Sequence, residues 1–178
     1  MQKSRGDGLL VAARILVVLI TAILIVSMIA VCLGTGALLT VGQHELWERI
    51  ARADAPDSAF WVVIGAFAII AVAIGVAVKF FETLGQIVLS VDRGDPFEAA
   101  NARRLRRMGW LGAIGQVLML PLTAMANWLA PYLDRLGDGI DIDLGLDPAA
   151  ILLILILFIL ARVFERGAAM QTDLEGTV

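Results

Sequence analysis

Residues that carry chemistry are scarce in this chain: its 178 residues include one cysteine, one histidine and one tyrosine, and only 17% are charged. Cys32 alone gives no disulfide framework and no CxxC or Cys/His metal pattern. His44 stands beside Glu45 in a polar stretch, where a solvated side chain is the simplest reading. A Ser/His/Asp order, an HExxH, a P-loop and paired carboxylates within an apolar run are all missing, which leaves an enzyme without candidates for its catalytic roles. The expectation is a non-enzymatic protein with no cofactor and no metal. No internal repeat, low-complexity tract or long linker divides the sequence, so residues 1–178 read as a single domain.

What the chain has in abundance is apolar surface. Hydrophobic residues make up 60% of it and the mean hydropathy is +0.87, above the roughly half-apolar composition of soluble domains. The apolar residues fall in long runs at about 15–39, 60–78, 108–133 and 144–163, and a helix needs about 20 such residues to cross a hydrocarbon core. A soluble fold would have to hide four helices that are apolar all round, without polar faces to cover them. The fold class predicted is all-α: a polytopic membrane protein with four transmembrane helices. Lys3, Arg5 and Arg14 precede the first run as they would in a signal peptide, but the run exceeds an h-region of roughly 7–15 residues, so it remains a span.

Loop charge then orients the spans. Lys3, Arg5 and Arg14 flank the first, Arg93, Arg103, Arg104, Arg106 and Arg107 crowd the second loop, and Arg162 and Arg166 end the last span. The first loop instead carries Glu45, Glu48, Asp54 and Asp57, and the third Asp134, Asp138, Asp141, Asp143 and Asp147. By the positive-inside rule both termini and the second loop are cytoplasmic, in a multi-pass protein of the inner membrane. The net charge of −3 averages over this division. Trp47, Trp61, Trp128 and Tyr132 fall near one expected boundary and Trp110 near the other, as interfacial aromatics do.

Between spans 2 and 3 the sequence predicts a helical hairpin with its tip at the cytosolic surface. Gly94 supplies a turn, Asp95 a helix cap, Pro96 the first helical position and Glu98 the return half of a capping box. Upstream, Phe80, Phe81, Leu84, Ile87, Val88 and Val91 recur at helical spacing, so the second helix is expected to continue past the bilayer with an apolar stripe that needs cover. The arginines that follow suit two roles. Arg106 and Arg107 are assigned to lipid headgroups, where each cation is worth about 1 kcal/mol. Asp95, Phe97, Asn101, Arg103 and Arg104 are assigned to a surface that binds a partner through charge complementarity. Direct nucleic-acid binding is not expected, because anionic lipid competes for the same arginines.

The remaining polar positions have plain readings. Asp141, Asp143 and Asp147 lack EF-hand spacing and read as a solvated acidic loop, and residues 140–144 alternate as a short extended segment would before Asp147 and Pro148 start the last helix. Lys79 and Glu82 pair on one helix face near the inner boundary. In the third run, Gly109, Gly112, Ala113 and Gly115 point to close helix packing and Pro121 to a kink. Gln116, Thr123 and Asn127 are uncharged, so this run carries no midplane carboxylate of the kind used in proton-coupled transport.

The stretch LGQIVLSVDRGDPFEAANARRLRRMGWLGAIG, with ARVFERGAAMQTDLEGTV at the C-terminus, resembles the bacterial family called domain of unknown function 2975. The resemblance is most specific from Gly94 to Phe97 and at Asn101, Arg103, Arg104, Leu105 and Arg107, and it supplies no catalytic or ligand residues. It implies a small multi-span membrane protein and, from the family's genetic neighbours, a cytosolic helix-turn-helix regulator as partner. The expected role is a regulator or sensor that holds this transcription factor at the membrane. The alternative is a small channel or transporter assembled as a homo-oligomer, since four helices alone enclose little space.

Overall fold

A computed structural model of the protein describes residues 3–92, 98–137 and 145–175, and it is helical throughout, with no strand among the described residues. The helices are α1 (Lys3–Thr40), α2 (Gln43–Arg52), α3 (Ser58–Asp92), α4 (Ala99–Arg135) and α5 (Pro148–Glu175). α1, α3, α4 and α5 are long and apolar enough to cross a membrane. The protein does not bury them: only 6%, 6%, 17% and 11% of their most apolar windows lie inside. Side chains such as Ile23, Val26, Leu33 and Val117 stand more than half exposed. Apolar helices left uncovered by protein need lipid as their solvent, which is the physical basis for reading a multi-pass membrane protein.

Contacts gather into two compact units. The first comprises Met1–Leu24, Val76–Ile114 and Asp147–Val178, the second Ile25–Gly75 and Gly115–Leu146. In the first, Leu105 and Met108 of α4 form a core with Leu157 and Ala161 of α5, against which Phe80, Leu84, Ile87 and Phe164 pack. The apolar stripe expected on the extended second helix thus finds its cover, and α3 runs on to Asp92. Glycine sets the α4–α5 separation. A Cβ on Gly109 would stand 3.0 Å from the Phe158 ring, and one on Gly112 only 2.9 Å from Ile154. Trp110 meets the same Phe158 edge-on, with ring centroids 5.6 Å apart. Gly115, grouped with these glycines by sequence, has open space instead.

In the second unit, Ile50, Ala59 and Phe60 form a small core with Leu46, Trp47, Ala55, Ile64 and Leu129. It is organised by α2, a helix inside what the sequence reading treats as a loop. Leu46, Trp47 and Ile50 make its apolar side, and Trp47 stacks flat on Phe60 at 5.0 Å. Glu45–Arg49 and Glu48–Arg52 fall at the i,i+4 spacing on its polar side. The chain leaves α2 through Asp54 at φ 53, a left-handed conformation that aspartate tolerates. Arg135 closes the unit: its guanidinium donates to the Ala53 carbonyl at 3.1 Å and lies 3.6 Å from the Asp54 carboxylate.

The last apolar run opens at residue 144, but α5 begins at Pro148, the start that Asp147 and Pro148 indicate in the sequence, because the Asp147 carboxylate accepts the Ala149 N–H at 2.9 Å and caps the helix, with Pro148 at the first helical position. α4 continues as one helix through both Pro121 and Pro131. The 140–144 alternation lies outside the described residues. The close α4–α5 contact yields a prediction: Gly112→Leu lowers stability by about 1–3 kcal/mol through overpacking, read as a lower thermal midpoint in detergent. Gly115→Leu, with nothing within 4 Å, leaves the midpoint nearly unchanged.

Candidate docking site at the α3–α4 junction

The end of α3 and the start of α4 are fastened by a buried polar relay. Asn101, on the first turn of α4, is 0% exposed, and Ser90, on the last turn of α3, is 7% exposed. The Asn101 side-chain amide donates to the Ser90 hydroxyl at 2.7 Å, and that hydroxyl donates to the Ile87 carbonyl at 2.7 Å. From the other side Arg104 donates to Asn101 Oδ1 at 2.8 Å and pairs with Glu98 at 3.5 Å. A neutral amide so placed is satisfied at both ends, and no buried side-chain nitrogen or oxygen lacks a partner among the described residues.

Beside this relay lies a groove of about 240 Å³ lined by Ala99, Ala102, Arg103 and Arg106 of α4 and by Glu165 and Ala168 of α5. Alanines give it a narrow floor. Arg106 crosses to Glu165 at 2.9 Å, tying the two helices at its rim. Arg103 is exposed and makes no ion pair among the described residues, so of the groove's two arginines it is the one that no described acid neutralises.

The arginine-rich surface read from sequence therefore divides by neighbour. Asn101, expected to touch a partner, is buried, because an amide this close to Ser90 is worth more as a helix-to-helix bond than in water. Arg104 is half-buried in the same relay. Arg103 remains on the surface, as does Arg107. Arg106, expected among headgroups, is exposed but engaged by Glu165. Asp95 and Phe97 lie outside the described residues. Ser90 and Glu165 were missed. Ser90 is a lone hydroxyl between Ile87 and Val91 on an apolar stripe, and Glu165 is a lone acid between Arg162 and Arg166; those were the available signals. Elsewhere, no group of three or more His, Cys, Asp or Glu side chains converges among the described residues.

Lipid-exposed apolar helices and a polar clasp where two of them meet define a class, the multi-pass α-helical membrane protein. The family described as Protein of unknown function (DUF2975) matches residues 54–178, and the chain belongs to that family. The match begins within the exit from α2 and takes in all of α3, α4 and α5. No curated protein and no solved structure matches the chain.

The relay yields a second prediction. Asn101→Ala removes the bonds that the buried Ser90 hydroxyl and the Arg104 guanidinium make to it, leaving Ser90 only Ile87 and Arg104 only Glu98 among the described residues, and destabilises the protein by about 1–3 kcal/mol. Ser90→Ala draws on the same bonds, so a double-mutant cycle on reversible unfolding gives a combined loss smaller than the sum of the two.

Proposed function

We propose that this is a non-enzymatic regulator of the bacterial inner membrane, with both termini and the α3–α4 junction in the cytoplasm, that docks a cytosolic helix-turn-helix transcription factor. The observation that carries the reading is Arg103, without an ion pair among the described residues, at the rim of a groove whose walls are pinned. The Ser90–Asn101–Arg104 relay fixes one side and the Arg106–Glu165 pair the other. A rigid, cationic, narrow-floored surface suits an acidic side chain on a partner's helix, and rigidity limits the entropy lost on docking. Transcription factors of this kind use a basic helix for DNA, so an acidic patch elsewhere on the partner is the surface required. Asp95 and Phe97 extend the proposed contact, Arg107 rests among headgroups, and DNA itself stays untouched.

Regulation follows if a signal alters the α4–α5 or α3–α4 arrangement, because an equilibrium shifts only when the partner prefers one of the two arrangements. The test is photo-crosslinking in the native host from position 103, with position 61 on the exposed Trp61 as control. A helix-turn-helix protein captured from 103 alone is the expected outcome, and Arg103→Glu lowers its co-purification at least about tenfold, as loss of a charge pair does. Capture from both positions alike, or of no such protein, overturns the reading.

A further inference from the structure

α3 carries a polar line that the rest of the first unit leaves uncovered. Lys79, Glu82 and Gln86 are exposed, while their neighbours Val78, Thr83 and Ser90 are buried. Their spacing of three and then four places them on one face of the helix, the seam spacing of helices that pack side by side. Lys79 Nζ meets Glu82 at 2.8 Å, with the two side chains 67% and 41% exposed.

Two rulers place this pair inside the ring of arginines. Arg14 of α1 lines the same crevice as Val88 and Leu89, and Lys79 precedes Val88 on α3 by roughly 13 Å at the helical rise. Ser90 bonds Asn101; Lys79 lies roughly 16 Å from Ser90, whereas Arg107 lies only roughly 9 Å beyond Asn101 along α4. Lys79 therefore stands about a turn deeper than Arg107, and Glu82, roughly 12 Å from Ser90, about 3 Å deeper, both on the apolar helix Ser58–Val91, while Gln86 lies at the level of the arginines. An ion pair on the outer face of an apolar helix near the inner edge of the membrane is only partly hydrated, which favours a polar partner over lipid.

We propose that this line is the interface between two copies of the chain. The patch is its own complement, because it holds one cation, one anion and an amide that both donates and accepts. Two parallel copies related by a two-fold axis bring each Lys79 between its own Glu82 and that of the other copy, which completes a ring of alternating charge, and bring the Gln86 amides together one turn further on. An interface of this kind needs no second protein species. It is independent of the groove beside Arg103, and the two readings can fail separately.

The test pairs two charge variants of the full-length chain with different tags in one membrane. Lys79→Glu makes the line acidic and Glu82→Lys makes it basic. Wild type is expected to run as a dimer in nanodiscs; each variant alone loses at least about tenfold of its dimer, and the two expressed together recover it as a mixed pair. Should either variant fail to insert, Gln86→Cys in a Cys32→Ser background provides the second readout. Oxidation in native membranes is expected to give a dimer of this chain from position 86 and none from Leu152→Cys on α5. A monomeric wild type, variants that self-associate unchanged, or a position 86 that links to another protein or to nothing overturns the proposal.

Discussion

The fold depends on one constraint: across a hydrocarbon core there is no water to take up an unpaired backbone amide or carbonyl, so each crossing segment must close its own hydrogen bonds as a helix. α1, α3, α4 and α5 do so over stretches that include Thr21, Thr35 and Thr123, whose hydroxyls turn back to the carbonyl four residues earlier and stay satisfied within their own helix. Once that is done the outward faces have no reason to be polar, and for most of their length they are not. The same constraint removes the ordinary drive for helices to associate, since lipid tails are as apolar as the side chains they would replace.

What holds the helices together has to come from contacts that lipid cannot reproduce, and the protein has two kinds. Gly109 and Gly112 let Phe158 and Ile154 approach the α4 backbone to within van der Waals contact, where a lipid chain would pack less closely. The helix ends are joined by polar contacts: Ser90 with Asn101 and Arg104 in one unit, Arg135 with Ala53 and Asp54 in the other. Loss of Ser90 or Asn101 leaves the other buried and short of a partner, so this bond specifies which helices meet more than it adds to total stability.

That division suits a protein whose work is proposed to lie in recognition. The groove beside Arg103 is framed by the two fastenings nearest to it, so any rearrangement of α3, α4 or α5 reaches the surface a partner would read. The face of α3 that bears Lys79 and Glu82 supplies a second place where polarity is left over after the chain has folded. In a molecule with so few charges, those that its own structure does not use fully are where other molecules are to be sought.

The sequence by itself determined the four apolar helices, the extension of α3 beyond its first apolar run and the need of its stripe for cover, because run length and period are local properties that hydrocarbon thickness reads directly. It also pointed to the helix start at Asp147 and Pro148, where the cap is made by neighbours in the chain. Tertiary structure decided the rest. Asn101 looked like an exposed polar residue in an arginine cluster and became a buried bond, because Ser90, distant in sequence, stands against it. Arg106 and Arg103 look alike in sequence and differ only because Glu165 of α5 reaches one of them. α2 was obscured by its charges, and its three apolar residues acquired meaning only when Phe60 and Leu129 met them. Periodicity shows which residues need a neighbour; only the packed chain shows which neighbour arrives.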